Sequence, residues 1–212
     1  MLGVRMVISR RRVIGLIGAG LGLAVVDGCK SETKWHGTDV TGTSPALSLT
    51  MTRAPDGKET TAVDFRGKVV MLYLGYTFCP DICPTTLASI TVILTRLGAE
   101  AARVAVLFVT VDPDRDTLPV LADYVRNFAP QIVGLRGTSD QLAALARRYR
   151  LAYSVTPESA GHPSEVTHSS AIYVFDGSGA ARLLLSSLSS ASPDLAGITA
   201  DLKRLISETS AA

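Results

Sequence analysis

Val69-Val70-Met71-Leu72-Tyr73-Leu74 runs directly into Gly75-Tyr76-Thr77-Phe78-Cys79-Pro80-Asp81-Ile82-Cys83-Pro84, and the rest of the chain is organised around this stretch. The continuous apolar run at its start is typical of a strand that is buried on both faces of a sheet. Pro84 and the helical pattern after it indicate that a helix begins at the second cysteine, because proline is tolerated in the first helical turn. The sequence therefore predicts that Cys79 and Cys83 lie where a strand turns into a helix.

The two cysteines are suited to thiol chemistry or to metal binding. The positive end of the helix dipole favours thiolate over thiol, and thiolate is the form that attacks disulfides and binds soft metals. Cys79 and Cys83 are close enough in sequence for one ion or one disulfide to bridge them. A stapling disulfide or two buried thiols is the structural alternative. It is the weaker hypothesis, since a disulfide that closes so short a loop stabilises a fold less than one that joins distant parts of the chain.

The charge of the chain is concentrated at its start. The chain has 212 residues and a formal net charge of +2. Residues 1–28 hold Arg5, Arg10, Arg11 and Arg12 against Asp27, so the remainder is close to neutral. This balance argues against a nucleic-acid partner, and the length favours one domain with a tail.

Residues 1–28 are typical of an export signal. Basic residues ending at Arg12 precede the apolar run 13–26, which is too short to cross a bilayer. The basic cluster also resembles a twin-arginine signal. Val26-Asp27-Gly28-Cys29 resembles a bacterial lipoprotein cleavage box, which predicts lipidation of Cys29, although Asp27 departs from the small residues usual there. Ordinary cleavage near Gly28 and an uncleaved anchor are the alternatives.

An exported chain of this kind is expected on the periplasmic face of the bacterial inner membrane, held there by lipid or by an N-terminal anchor. Residues 29–45 are polar and are expected to form a tether rather than a packed element. His36 in this segment is either an accessory ligand or, as is commoner for a loop histidine, simply solvated. Two close thiols in an oxidising compartment imply a partner that keeps them reduced.

Residues 46–212 predict one α/β domain. A short strand over 46–51 and the turn signal Pro55-Asp56-Gly57-Lys58 indicate an N-terminal hairpin. Beyond the thiols we expect buried strands over 104–111 and 132–135, a hairpin over 171–185, and helices after Pro84, over 118–128, from a cap at Ser139-Asp140 to about 150, and after Pro193. This order predicts a thioredoxin-like mixed sheet with helices on both faces and an added N-terminal hairpin.

His168 is the third candidate site residue. It lies in the segment 165–170, directly before the predicted strand over 171–175. In a thioredoxin-like sheet the loop entering that strand lies against the thiol-bearing turn, so we expect His168 to face Cys79 and Cys83. A histidine bonded only to backbone is the alternative, and His162 is expected farther out in the loop 157–163.

Three separated motifs resemble the Sco (SenC) family in the same order along the chain: Tyr76 to Leu87, Val111-Asp112-Pro113-Asp114-Arg115-Asp116-Thr117, and His168-Ser169. Residues 35–42 and 64–68 also match, so the resemblance covers nearly the whole chain after the signal. It implies a thioredoxin-like fold and a role as a copper-binding factor in assembling the dinuclear copper centre of cytochrome c oxidase.

The same resemblance implies that Cys79, Cys83 and His168 are the copper ligands and that Asp112 lies near the site. Thr167 is a departure, because many members of the family carry Asp before the histidine, and this affects only a supporting carboxylate. From the residues alone, Asp112 is a turn residue at a strand end. Expected partners are the copper-bearing oxidase subunit, a copper donor and a thiol reductant.

The residue types agree with that role. Two thiolates and one imidazole suit Cu(I) and can also hold Cu(II), whereas zinc prefers a fourth ligand, and none has suitable spacing. We therefore expect a metallochaperone rather than an enzyme. The rival hypothesis is a thiol-disulfide reductase acting on the cysteines of the oxidase subunit, or a thiol peroxidase. The motif of thiol-disulfide reductases, however, has two residues between its cysteines, whereas this chain has three. Reductases also carry a proline directly before the strand that corresponds to residues 171–175, and this chain lacks it. A lipid-anchored binding module without redox function is a third hypothesis.

Overall fold

A computed structural model of the chain describes residues 34–156, 159, 165–186 and 188–211. The predicted export signal with Cys29, and His162 in the predicted outer loop, lie outside these described residues.

The described strands form a large sheet and a small one. They are β1 (Thr38–Asp39), β2 (Thr50–Arg53), β3 (Glu59–Thr61), β4 (Val69–Gly75), β5 (Val104–Thr110), β6 (Ile132–Arg136), β7 (Tyr153–Thr156), β8 (Glu165–His168), β9 (Ile172–Phe175) and β10 (Ala181–Leu185). The large sheet has the order β1-β10-β9-β4-β5-β6-β2-β3. In it β4, β5 and β6 are parallel and the other neighbours are antiparallel, while β7 and β8 pair separately.

Helices cover both faces of the large sheet. They are α1 (Ile82–Leu97), α2 (Leu118–Arg126), α3 (Ser139–Tyr149) and α4 (Leu195–Ala211), with short 3-10 helices at Ala62–Phe65 and Gly98–Arg103. Buried side chains of α1, α2 and α4 share one core cluster, and those of α3 belong to the other.

Strand β4 shows why the centre of the sheet is apolar throughout. Met71 and Tyr73 belong to the core beside α1, while Leu72 and Leu74 belong to the core beside α3. Successive side chains of a strand point to opposite faces, so a strand with helices on both sides needs apolar residues at every position. The predicted fold class, a thioredoxin-like mixed sheet covered on both faces with an N-terminal hairpin, is confirmed.

The start of the N-terminal hairpin and the cap of α3 differ from the sequence prediction. The first strand of the N-terminal hairpin begins at Thr50, whereas the alternation of residues 46–51 predicts it earlier. Helix α3 is capped by Thr138 and not by the predicted Ser139-Asp140. The Thr138 hydroxyl accepts the Gln141 N–H at 3.2 Å, and the Gln141 side chain accepts the Thr138 N–H at 2.8 Å, which is a capping box.

The polar composition of residues 29–45 predicts a tether, but the described part of that segment packs against the domain. β1 pairs with β10 at the edge of the sheet, and the backbone N–H groups of His36 and Gly37 donate to Asp201 Oδ2 at 2.9 and 2.8 Å. The Trp35 ring lies against the core, with the Arg204 guanidinium 3.8 Å from its centre. The segment is held in place because Trp35 buries apolar surface and β1 pairs with backbone groups at the edge of β10 that would otherwise have no strand partner.

One helical stretch among the described residues, Ile82–Arg103, is long and apolar enough to cross a membrane by length and composition. It consists of α1 and the 3-10 turn after it. Its apolar residues include the core-facing Leu87, Ile90 and Ile93, which have no exposed surface. Packing of α1 within the domain therefore accounts for these apolar positions.

Candidate metal centre

The two thiols lie at the junction of β4 and α1. Cys79 is in the loop between these elements, and Cys83 is the second residue of α1, so the helix begins just before the second cysteine. Gly75 ends β4 under this loop. A Cβ at position 75 would lie 2.4 Å from a Phe108 ring carbon and 3.0 Å from Cys83 Sγ, so only glycine lets the strand pass this closely beneath the thiol.

Cys79, Cys83 and His168 converge at this junction. Their sulfur atoms and one ring nitrogen of His168 lie within 4.8 Å of one another. Cys83 Sγ is 3.1 Å from His168 Nε2, and the Cys83 N–H donates to Cys79 Sγ at 3.4 Å. Neither cysteine forms a disulfide. The structure thus brings together the three residues that the sequence singles out.

His168 is positioned by a strand rather than by a loop. The sequence places it in a loop before β9, but it is the last residue of β8, opposite Tyr153 of β7. Its Nδ1 is 3.0 Å from the carbonyl oxygen of Ser169. A carbonyl oxygen only accepts, so Nδ1 carries the proton and Nε2 turns its lone pair toward the thiols. This tautomer is the one that a metal ligand needs.

Burial governs the charge states at the site. Burial raises the pKa of Cys83 to about 12, so the helix N-terminus does not make this thiol a thiolate as the sequence predicts. Burial also lowers the pKa of His168, which keeps the imidazole neutral at physiological pH. A soft metal ion that binds here must therefore displace the Cys83 proton, whereas the histidine needs no change.

Asp116 holds the thiol loop and was not among the residues that the sequence singled out. It has no exposed surface, and its carboxylate accepts the Thr77 N–H at 3.0 Å, the Thr77 hydroxyl at 2.5 Å and the Thr110 hydroxyl at 2.5 Å. Thr77 lies two residues before Cys79, so Asp116 ties the loop to the end of β5. The signal available in the sequence was the third acidic residue of the segment 112–116.

Asp112 contacts Arg115, which in turn lies against the loop that carries Cys79. It is buried and forms an ion pair with Arg115. The Arg115 guanidinium lies over the rings of Phe78 and Tyr76, at 5.1 and 6.0 Å from their centres. Asp112 is near the site, as the family resemblance implies, but it is not in the group formed by the two cysteines and His168.

His36 lies elsewhere. Its Nδ1 is 2.8 Å from Asp194 Oδ2, just before α4, and it is not part of the thiol group. Its ring is therefore bonded rather than simply solvated.

The donor set of two sulfurs and one imidazole nitrogen is soft and three-coordinate. Thiolates select Cu(I) and other soft ions, and imidazole adds a ligand that Cu(I) and Cu(II) both accept. Cys79 is half-buried while Cys83 is fully buried, so the group is reached from the Cys79 side. The site is thus suited to binding a soft ion that reaches it from the Cys79 side.

The comparisons with known proteins agree among themselves. Residues 49–207 match the family model described as SCO1/SenC. The mitochondrial SCO2 homolog of Mus musculus is 35% identical over 180 residues, which are 81% of this chain and 69% of that protein. The mitochondrial SCO2 homolog of Bos taurus is 42% identical over 125 residues, covering 58% of this chain and 47% of that protein.

A solved structure is also similar. Bradyrhizobium japonicum ScoI with copper bound has a TM-score of 0.67 and 31% sequence identity, covering 76% of this chain and 99% of that one. The chain spans about half the length of most of the curated relatives that it matches.

Proposed function

This chain belongs to the SCO1/SenC family, and from that membership we propose that it binds one copper ion through Cys79, Cys83 and His168 and delivers it to the dinuclear copper site of cytochrome c oxidase. The observation that carries the proposal is the convergence of two sulfurs and one ring nitrogen within 4.8 Å. The Ser169 carbonyl supports it further, because it leaves His168 Nε2 as the free ligand atom.

Cys79, Cys83 and His168 suit a copper ion that is carried and then transferred to a partner. Cu(I) is stable with two thiolates and one imidazole, and Cu(II) tolerates the same atoms in a different geometry. Binding releases the Cys83 proton, so copper uptake is coupled to proton release. Phe78 and Ile82, on either side of Cys79, are 56% and 43% exposed, which supports contact with a copper-bearing partner at this end of the domain.

The proposed location is the periplasmic face of the bacterial inner membrane. The basic and apolar pattern of residues 1–28 supports export, and the box ending at Cys29 supports a lipid tether, with an uncleaved N-terminal anchor as the alternative. A copper donor and a thiol reductant would be partners there. Cys29→Ala should release the protein from the membrane or block its processing. Unchanged mass and membrane attachment would favour the uncleaved anchor.

Copper binding by the reduced domain tests the ligand set. We expect one Cu(I) per chain, loss of tight binding in Cys79→Ala and Cys83→Ala, and a smaller loss in His168→Ala, since two soft ligands remain. X-ray absorption should report sulfur and nitrogen ligands, with the nitrogen signal lost in His168→Ala. A nitrogen signal that survives this substitution would assign the ligand to another histidine, and His36→Ala is the matched control.

A thiol-disulfide reductase is the second candidate, and the hydrogen bond from the Cys83 N–H to Cys79 Sγ favours it. A thiolate at Cys79 would accept this bond and would be the attacking group. In that reaction Cys79 attacks the disulfide of the oxidase subunit, Cys83 then displaces the mixed disulfide, and the partner leaves with two thiols while this chain is oxidised. No proline stands directly before β9, where thiol-disulfide reductases of this fold carry one, and this supports the copper hypothesis instead.

Cells that carry each substitution distinguish the two candidates. If delivery is the main task, His168→Ala should impair oxidase assembly nearly as much as Cys79→Ala, because both damage the copper site. If reduction is the main task, His168→Ala should be mild, because both thiols remain. Oxidase activity and copper content, measured with and without added copper, report the outcome. Near-normal oxidase in the His168→Ala strain beside a severe defect in the Cys79→Ala strain would contradict the delivery role.

A further inference from the structure

Three buried hydroxyl groups have no hydrogen-bond partner in the part of the chain that the structure describes. They belong to Tyr73, Thr86 and Tyr124. Buried polar groups in folded proteins are nearly always bonded, so each exception calls for an explanation. Other buried tyrosines of this chain follow the rule, since Tyr149 and Tyr173 donate to backbone carbonyls at 2.9 and 3.0 Å.

All three hydroxyls belong to the core on the Cys83 side of the sheet. Tyr73, on β4, points to the same face of the sheet as Gly75, whose Cβ position would lie 3.0 Å from Cys83 Sγ, and the Tyr73 ring is 6.0 Å from the His168 ring. Tyr124, on α2, packs on Phe108 with 5.5 Å between ring centres, and Phe108 in turn is 5.9 Å from the Tyr73 ring. We call Tyr73, Thr86 and Tyr124 the hydroxyl cluster.

Tyr73, of the hydroxyl cluster, shares a core cluster with Cys83 and lies beside the proposed ligand His168. His168 Nε2 lies 3.1 Å from Cys83 Sγ. Cys83 has no exposed surface, so any further hydrogen bond to its sulfur must come from a buried donor of this core. A neutral thiol is a weak acceptor, whereas a thiolate is a strong one. A metal-bound sulfur at this position would therefore be a better partner for a buried hydroxyl than the thiol is.

We propose that the Tyr73 hydroxyl donates a hydrogen bond to the Cys83 sulfur when that sulfur is a copper-bound thiolate, and that Thr86 and Tyr124 complete a polar pocket behind it. The inference rests on the proposed copper site. Tyr73 touches the ligand and not the ion, so it is a positioning residue. Its hydroxyl is unbonded in the copper-free chain and becomes bonded on binding, which adds to copper affinity.

The same bond should tune the electronic character of the site. A hydrogen bond to a thiolate withdraws electron density from sulfur, which weakens its donation to Cu(II) more than to Cu(I). The wild-type chain should therefore favour Cu(I) more than a variant that lacks the hydroxyl. A spectroscopic and a redox measurement can detect this, and neither responds to packing alone.

Tyr73→Phe is the test variant, since it removes one oxygen and leaves the ring in place. Tyr173→Phe is the matched control, because its hydroxyl is buried on the opposite face of the sheet and is already bonded to the Tyr149 carbonyl. Three quantities are measured for each variant: the urea midpoint of the copper-free reduced chain, the Cu(I) affinity by competition with a chelator, and the sulfur-to-Cu(II) charge-transfer band together with the Cu(II)/Cu(I) potential.

We expect Tyr73→Phe to leave the copper-free urea midpoint unchanged or raised, to lower Cu(I) affinity about tenfold, and to move the charge-transfer band to lower energy with a lower potential. Tyr124→Phe should shift the same quantities in the same direction by less. Tyr173→Phe should lower the midpoint and leave affinity, band and potential unchanged.

Two results would overturn the inference. Wild-type affinity, band and potential in Tyr73→Phe would show that the hydroxyl makes no bond to the copper-bound sulfur. A drop in the copper-free midpoint as large as that of Tyr173→Phe would show that the hydroxyl is already bonded without copper. Failure of the wild-type chain to take up copper is a separate outcome, because it would contradict the proposed function first.

Discussion

Two features of the position of Cys83 have opposite effects on the pKa of its thiol. It lies in the first turn of α1, where the helix dipole favours thiolate, and it has no exposed surface, which favours the neutral thiol. Burial wins, since the pKa of Cys83 is raised to about 12. Cys79 is half-buried, so its sulfur is the one that an incoming metal ion or partner contacts first.

Asp116 offers a residue-scale prediction. Asp116→Ala removes the acceptor of three hydrogen bonds and leaves the Thr77 and Thr110 groups buried without it. Hydrogen bonds to a charged group contribute about 1.5–3 kcal/mol each and are not additive, so we expect the free energy of unfolding to fall by roughly 3 kcal/mol. Copper affinity should fall as well, because the loop that carries Cys79 is no longer held.

Urea unfolding and chelator competition measure both effects. Asp114→Ala is the matched control, because Asp114 is an exposed neighbour in the same turn. A variant at position 116 that unfolds at the wild-type midpoint would contradict the positioning role of this carboxylate.

The candidate site was predictable from sequence where the residue type itself names the chemistry. Cys79, Cys83 and His168 are the residue types that bind soft metals, and their places at strand ends in a recognisable fold were enough to bring them together. Asp116 and Tyr73 were not predictable in this way. A buried carboxylate or hydroxyl acquires its role only from the partners that tertiary packing supplies, and neither residue type indicates those partners in advance.

At the scale of elements, the hydrophobic pattern of the sequence predicts a strand or a helix well where that element is buried in the core. β4 and β5 are buried at every position, and both were expected from their apolar runs. The pairing of β7 with β8 was not expected, because the two strands are mostly exposed and, at four residues each, too short for their alternation to predict a sheet. The packing of Trp35 was missed for another reason, since its partner Arg204 lies at the far end of the chain.

The turn between β9 and β10 gives an element-scale prediction about pH. Partial burial of Asp176 opposes ionisation, but hydrogen bonds from Ser178, Arg182 and the Ala180 N–H outweigh it and lower the pKa of this carboxyl. Because the folded pKa lies below the unfolded value of about 3.9, the stability from ionised Asp176 is present above about pH 4. It is lost as pH falls through the folded pKa.

Asp176→Asn should therefore lower the free energy of unfolding by about 1–2 kcal/mol at pH 6, and the difference from wild type should shrink below about pH 4. Urea unfolding at pH 6 and pH 3 measures it. Asp123→Asn is the control, since Asp123 pairs with Arg126 on the surface and should contribute little at either pH. A difference for Asp176→Asn that is equal at both pH values would contradict the assignment.

At the scale of the whole molecule, the N-terminal segment joins the two ends of the described chain. Trp35 lies between the core and Arg204 of α4, Asp201 of α4 accepts the N–H groups of His36 and Gly37, and β1 continues into the sheet. Residues 35–39 are thus fixed beside α4 and the edge of the sheet. The segment is part of the fold as well as a connection.

Trp35→Ala gives the whole-molecule prediction. It removes a half-buried ring and its contact with the Arg204 guanidinium, so we expect the free energy of unfolding to fall by about 2 kcal/mol, less than for a fully buried tryptophan. Trp35→Phe should recover about half of the loss. Urea unfolding gives these values, and the copper stoichiometry should stay at wild type because the ring is not part of the thiol group. Wild-type stability of Trp35→Ala would mean that the segment is a passive tether.

The shortness of the two outer strands has a consequence for self-association. β1 contains two residues and β3 three, and each includes an acidic side chain, Asp39 and Glu59. An open strand edge is a template for pairing with another molecule, and very short, charged edge strands blunt it. Many copies confined to one surface would meet at high local concentration. The sheet gives them no long edge along which to join, so crowding should not convert this domain into strand-paired aggregates.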